Sequence, residues 1–102
     1  MPIDKLPEHL RPLFWDHDFA RLSWPADRDL VIARILQEGE DRANVWLYRE
    51  LGPTELATWI RDHHGRGLDP RRLRFWQVIL KLPERDVVRW LRDATATPGK
   101  VQ

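Results

Sequence analysis

The sequence predicts an all-α fold, a compact single-domain bundle of five to six short helices around a tryptophan-rich core. Apolar residues recur at spacings of three and four, which places them on one face of a helix. No segment alternates strictly between apolar and polar residues over the length of a strand. Proline and glycine interrupt the apolar pattern at short intervals. Six of the residues are tryptophan, whose large rings can fill much of a modest core.

Length and composition indicate the domain organisation. A chain of 102 residues is long enough for one domain with one modest core. Its 42% hydrophobic and 32% charged residues are typical of a folded chain rather than a disordered one. We expect a single helical domain over residues 1–93 and a flexible C-terminal tail over residues 94–102.

Two helices are predicted before the first glycine. The first covers residues 7–15, with Pro7 in its first turn. The second starts near Pro25 or Asp27 and runs to residue 38, with Ser23 as a candidate upstream cap and Gly39 as a left-handed terminator. Because apolar residues occupy more than one side of the second helix, we predict that it is the most buried.

The middle of the chain predicts two further helices joined by a tight turn. The third helix covers residues 40–51 and is closed by Gly52. The fourth begins after Pro53, with Thr54 as a candidate cap, and ends by residues 63–65.

The last two helices are separated by a proline. Residues 68–82 form a helix with Asp69 as N-cap and Pro70 at the first helical position. The final helix covers residues 83–94. The residues of the fifth helix expected to face inward are Leu73, Trp76, Ile79 and Leu80.

The sequence lacks the usual signals of several functional classes. The absence of cysteine excludes disulfides, zinc fingers and thiol catalysis, and fits a reducing cytoplasm. The N-terminus is charged and interrupted by proline, unlike a signal peptide, and no apolar run approaches the roughly 20 residues of a membrane span. The chain has a single serine and no P-loop, GxGxxG or nucleophile elbow. We therefore expect a cytoplasmic protein that is not an enzyme and uses no cofactor or metal.

The segment LFWDHDFARLSW, residues 13–24, concentrates aromatic and acidic residues. Asp16, His17 and Asp18 are residue types that bind metals or relay protons, but adjacent side chains project in different directions. We expect a packing role, with Asp16 or Asp18 accepting backbone N–H bonds where the first helix ends. The aromatic residues expected to pack onto the long helix are Phe14, Trp15, Phe19 and Trp24.

His63 and His64 raise a similar question. Adjacent histidines are poor joint ligands on a helix, where metal ligands prefer spacings of three or four. At a helix C-terminus they can instead interact with the dipole or the free carbonyls, which is the role that we expect.

Charge is distributed unevenly along the chain. Residues 1–60 carry 7 Lys and Arg against 11 Asp and Glu, a net −4, whereas residues 61–102 carry 10 against 5, a net +5. The arginines of residues 61–74 can contact the nucleic-acid backbone, pair with acidic neighbours, stack on a tryptophan or meet an acidic protein partner. Opposite charges can also simply cover a helical surface. The candidate contact residues are Arg61, Arg66, Arg71, Arg72 and Arg74.

Three motifs along the chain resemble those of a family of small uncharacterised bacterial proteins. The first is an FWDxD signature, the second is a helix ending in RxLxxG, and the third is a later segment that ends in FW. The resemblance covers about residues 6–82. The matching residues are Phe14, Trp15, Asp16 and Asp18, then Arg34, Leu36 and Gly39, then Leu68, Phe75 and Trp76.

That resemblance implies a biological context. Genes of the family often lie beside one for a nucleotidyltransferase-like toxin of the abortive-infection type, which implies an antitoxin-like protein-binding role without catalytic residues. The FWDxD residues would then be a structural or partner-binding signature. The acidic first half, including Asp27 and Asp29, could mimic polyphosphate in a basic cleft of the toxin. The alternative is a nucleic-acid-binding or transcriptional accessory protein that uses the arginines of residues 61–74. The sequence leaves the oligomeric state open.

Overall fold

The computed structural model describes residues 5–96 and is all-α, as the sequence predicts. The α-helices in this range are α1 (Arg28–Glu38), α2 (Asp41–Leu51), α3 (Pro53–Asp62), α4 (Pro70–Leu80) and α5 (Glu84–Ala96). Two 3-10 helices, Glu8–Phe14 and Phe19–Arg21, precede α1. The elements group into two compact units that divide after Glu50, here the N-terminal unit and the C-terminal unit.

The N-terminal unit begins with a helix of a different type from the one predicted. Residues Glu8–Phe14 form a 3-10 helix that contains Pro12, which has no backbone N–H for an α-helical hydrogen bond. Leu10 and Phe14 are its buried residues, and α1 packs against this helix.

The start of α1 is fixed by two reciprocal hydrogen bonds in the preceding turn. The Ser23 hydroxyl accepts a bond from the Ala26 N–H at 3.2 Å, and the Asp27 carboxylate accepts one from the Ser23 N–H at 3.0 Å. Ser23 therefore closes the turn ahead of the helix, while Asp27 occupies the N-cap position. The prediction that α1 is deeply buried is confirmed by Val31, Ile32, Ile35 and Leu36.

Gly39 ends α1 as predicted, but in a different conformation. Its φ of −70° and ψ of 151° are extended, not left-handed. A Cβ at this position would lie 2.6 Å from the Ile35 carbonyl oxygen, 2.9 Å from Ile35 Cγ2 and 3.2 Å from Ala43 Cβ. Glycine is needed because α2 begins close to the end of α1, so the predicted left-handed terminator is wrong.

The turn between α2 and α3 does use a positive φ. Gly52 has φ +88° and ψ 153°, a region that is almost exclusive to glycine. Pro53 follows at the first position of α3, where its fixed φ suits the helix. Thr54 already lies inside the first turn, so the prediction that it caps the helix is wrong.

In the C-terminal unit, α4 packs against both α3 and α5. The predicted N-cap is confirmed, since the Asp69 carboxylate accepts a hydrogen bond from the Arg72 N–H at 2.8 Å and Pro70 follows it. Leu73 and Trp76 are buried as predicted.

The final helix extends past the expected domain end. α5 continues to Ala96, so residues 94–96, expected in the tail, are helical. The remainder of the expected tail, residues 97–102, lies outside the described residues. Leu80 is half-buried and Ile79 is exposed on α4, so the prediction that Ile79 faces inward is wrong.

The tryptophans are less buried than the predicted tryptophan-rich core requires. Trp76 and Trp90 are buried, whereas Trp24, Trp46 and Trp59 are half-buried and Trp15 is exposed. Most buried side chains are instead leucine, isoleucine and valine. An indole is large and has a polar N–H, so it is rarely buried completely.

Candidate functional site

Asp16, the central carboxylate of the FWDxD segment, is bound by an arginine of α1. Arg34 Nη1 and Nη2 donate to the two Asp16 carboxylate oxygens at 2.9 and 3.1 Å, and Nη1 also donates to the Leu13 carbonyl at 2.6 Å. The Arg34 side chain is only 15% exposed, and its guanidinium lies 5.5 Å from the centre of the Phe14 ring. We call these contacts the Arg34 clamp; they attach the end of the first 3-10 helix to α1.

The clamp sets the charge state of Asp16. The hydrogen bonds from Arg34 hold the pKa of Asp16 below its ordinary value, against the opposing effect of burial. We expected backbone N–H donors, but the chief donor is the guanidinium. The clamp joins two of the three motifs that carry the family resemblance. Because Asp16 is bound to α1 in this way, we assign it a structural role.

The remaining residues of the FWDxD segment divide between core and surface. Phe14 and Phe19 are buried, with ring centres 6.0 Å apart, which agrees with the predicted packing role. Asp18 is exposed and its carboxylate lies 3.6 Å from Arg21 Nε. Trp15 is 79% exposed, so the prediction that it packs onto the long helix is wrong. Trp15 is therefore available to a partner without rearrangement of the core.

We expect Arg34→Met to lower the free energy of unfolding by about 1–2 kcal/mol, because the Leu13 carbonyl and Asp16 lose their shared donor. Asp16→Asn should cause a smaller loss, and the double variant should lose less than the sum of the two single variants. Urea denaturation of the four proteins measures this coupling. Strictly additive losses would show that the two side chains do not stabilise each other.

The same carboxylate predicts a pH dependence. A carboxylate whose pKa is lowered in the folded state contributes stability above its unfolded pKa of about 3.9, and that contribution is lost as the pH falls through the folded pKa. The stability difference between wild type and Asp16→Asn should therefore shrink on acidification below about pH 4.

The five candidate arginines of residues 61–74 differ in their surroundings. Arg74 Nη1 donates to the Gln77 side-chain oxygen at 2.7 Å and to the Glu84 carboxylate at 2.9 Å. The hydrogen bonds that Glu84 accepts from Gln77 and from Arg74 lower the pKa of Glu84. Arg72 Nε lies 4.0 Å from the Asp69 carboxylate. Among these five, the exposed arginines that form no ion pair with another described residue are Arg61, Arg66 and Arg71. Only part of the predicted patch is therefore available to an external anion.

The paired histidines occupy the end of α3. His63 Nδ1 lies 2.8 Å from the Trp59 carbonyl oxygen, and its ring stacks on the Trp59 indole with centres 3.7 Å apart. His64 has a φ of +55° in the following turn. The His63 ring therefore lies at the end of α3, but the Trp59 carbonyl is not a free one, because it also accepts the His63 backbone N–H at 3.1 Å.

An exposed apolar surface on α4 was not anticipated. Phe75, Val78 and Ile79 are 45%, 74% and 42% exposed, and their spacing places them on one side of the helix. We call these three residues the α4 apolar face. The sequence held a signal for it, because α4 has more apolar residues than a single buried stripe requires.

Among residues 5–96, no three His, Asp or Glu side chains are placed to hold a metal ion. Over the same range, no helix combines the length and the apolarity needed to cross a bilayer. Every residue that is buried as a whole over the same range has an apolar side chain or is glycine, and the buried polar side-chain atoms without a hydrogen-bond partner are His9 Nε2, Asn44 Oδ1 and Trp90 Nε1.

Comparison with known protein families places this arrangement in context. A family of unknown function (DUF6922) matches residues 10–60, half of the chain. The chain belongs to this family. The DUF6922 region contains both partners of the Arg34 clamp and the whole of α1 and α2, whereas α4 and α5 follow it. No curated protein and no solved structure matches the chain significantly.

Proposed function

We propose that this chain is a non-enzymatic protein-binding module, an antitoxin-like partner of a nucleotidyltransferase-like toxin. The observation that supports it is the α4 apolar face. Three large apolar side chains at positions i, i+3 and i+4 form the pattern by which a helix docks into an apolar groove of another protein. Contiguous exposed apolar surface is uncommon on a monomeric protein and is typical of interaction sites.

Charged residues supply the second component of the proposed interface. Arg71 lies one turn before Phe75, and Lys81 and Arg85 follow the end of α4, all of them exposed. Burial of the apolar face provides affinity, while charges at its edge determine the orientation and the rate of encounter.

The acidic first half of the chain suits the proposed inhibitory mechanism. In this mechanism it meets the basic nucleotide or RNA entrance of the toxin and occludes it. Asp27 is a poor position to test this step, because its carboxylate accepts the Ser23 N–H and forms part of the turn before α1. The α4 apolar face provides a cleaner test.

Val78→Glu should weaken binding to the toxin at least tenfold, a loss of about 1.4 kcal/mol, because the interface would bury an unpaired carboxylate. Val45→Glu on α2 is the matched control, since Val45 is also an exposed helical valine. We would recover the tagged proteins from the native host, identify the partner by mass spectrometry and measure affinity with the purified pair.

Each outcome bears on the proposal. Stoichiometric recovery of a nucleotidyltransferase-like protein with wild type and Val45→Glu, but not with Val78→Glu, supports it. Equal binding by all three proteins excludes the α4 apolar face as the interface. Recovery of nucleic acid alone, unaffected by Val78→Glu and lost steeply with salt, would favour the alternative use of Arg61, Arg66 and Arg71.

A further inference from the structure

A second surface, in the N-terminal unit, has a different chemical character from the α4 apolar face. It is a cleft of about 400 Å³ between the first 3-10 helix and α2, which we call the α2 cleft. Its volume falls within the roughly 300–1,000 Å³ typical of small-molecule sites. The lining residues are His9, Asp41, Arg42, Val45, Trp46 and Arg49.

Two arginines bracket the apolar part of the α2 cleft. Arg42 and Arg49 are seven residues apart on one helix, so their backbones are separated by about 10 Å along its axis. Both side chains are exposed, and neither forms an ion pair with another described residue. Val45 and Trp46 lie between them. The cleft thus places an aromatic ring between two guanidinium groups that are available to an anion.

Neighbouring aromatic residues hold Trp46 in position. Its ring meets Trp24 edge-to-face, with centres 5.1 Å apart, and the Arg28 guanidinium lies 6.0 Å from the Trp24 ring centre. Trp46 also lines an adjoining cleft of about 490 Å³ with Lys5 and Glu50. An indole fixed in this way can receive a planar ring without a large loss of side-chain entropy.

The other polar groups narrow the class of ligand. The Asp41 carboxylate repels a ligand that is anionic along its whole length. It can, however, accept a hydrogen bond from a hydroxyl or amino group. His9 also lines the cleft, and its Nε2 atom is buried with no hydrogen-bond partner among the described residues. A ligand with one anionic end, a planar ring and hydrogen-bond donors complements the arginines, the Trp46 ring and the Asp41 carboxylate.

We propose that the α2 cleft binds a nucleoside phosphate. The phosphate pairs with Arg49, the arginine farther along α2 from Asp41, and the base packs on Trp46. The ribose hydroxyls or an exocyclic amine donate to Asp41. Proteins bind single nucleotides by stacking the base on an aromatic ring and pairing the phosphate with arginine. The same contacts serve a free nucleotide and the end of a nucleic-acid chain. The α2 cleft shares no residue with the α4 apolar face, so the two proposals can fail separately.

Titration with four probes tests the ligand class: AMP, adenosine, inorganic phosphate and a 5′-phosphorylated oligoadenylate. We expect AMP to bind saturably, with NMR shifts confined to residues 41–49, His9 and the Trp46 indole N–H. Adenosine and phosphate should each bind about tenfold more weakly than AMP, because each lacks one of the two contacts. A tighter complex with the oligonucleotide than with AMP would identify the end of a nucleic-acid chain as the source, and the reverse order would identify the free nucleotide.

Two pairs of variants test the location of the site. Arg49→Gln should weaken AMP binding about tenfold, whereas Arg85→Gln, an exposed arginine of α5, should leave it unchanged. Val45→Glu should abolish AMP binding, whereas Val78→Glu should not. If AMP binds no better than inorganic phosphate, or if Arg49→Gln and Arg85→Gln have equal effects, the proposal is wrong.

Discussion

Trp76→Ala should lower the free energy of unfolding by about 3–5 kcal/mol, the range observed when a large aromatic side chain is removed from a core. Trp76 is 2% exposed, lies on α4 between its two neighbouring helices and meets Phe75 edge-to-face at 5.1 Å. A domain of this size has about 5–15 kcal/mol of total stability, so the loss would be a large part of it. Urea denaturation followed by circular dichroism measures the effect.

Trp15→Ala is the matched control, because it removes the same side chain from a position that is 79% exposed. We expect its stability to stay within about 0.5 kcal/mol of wild type. A loss as large as that of Trp76→Ala would contradict the assignment of Trp15 to the surface. A stable Trp15→Ala protein would also be suitable for partner-binding assays, since any loss of binding would then reflect the missing indole rather than unfolding.

The contrast between these two tryptophans shows how far the sequence determines the fold. The all-α class and the start of α4 were predictable, because they depend on local features such as apolar spacing and the Asp69–Pro70 cap. The burial of an individual tryptophan was not, because it depends on which elements meet in three dimensions. Trp15 was expected to pack because it belongs to an aromatic-rich segment, but it follows a 3-10 helix whose buried residues are Leu10 and Phe14.

The Arg34 clamp illustrates the same limit for the candidate site. Asp16 and Arg34 are 18 residues apart, and no local pattern assigns one as the partner of the other. The resemblance placed both residues in motifs, but only the packing of α1 against the first 3-10 helix brings them together. The α2 cleft was missed for a related reason, since His9 and Trp46 belong to elements that are distant in the sequence.

Glycines show that a residue can be predicted for the wrong physical reason. A glycine at the end of a helix usually indicates a left-handed residue, and Gly52 meets the expectation of a positive φ. Gly39 does not, because the constraint there is the close approach of Ile35 and Ala43. Sequence alone cannot separate these two requirements, but substitution can.

Gly39→Ala should lower the free energy of unfolding by about 3 kcal/mol, the upper part of the usual cost of overpacking. The new Cβ would lie 2.6 Å from the Ile35 carbonyl oxygen, which is a backbone atom of α1, and 2.9 Å from the buried Ile35 side chain. The overlap with the new Cβ can therefore be relieved only if the backbone moves, because neither neighbour can simply rotate away. Urea denaturation measures the loss.

Gly52→Ala supplies the comparison, because nothing lies within 4 Å of a Cβ there and only backbone strain at a φ of +88° opposes it. We expect a smaller loss of about 1–2 kcal/mol. D-alanine at position 52, introduced by chemical synthesis, should restore stability since its favoured φ is positive. If Gly39→Ala proved no more damaging than Gly52→Ala, the close approach at Gly39 could not be what requires glycine there. A Cβ at position 39 would also approach Ala43, which lies in the first turn of α2 next to the α2 cleft. Gly39→Ala should therefore shift the NMR signals of that turn, whereas Gly52→Ala should not.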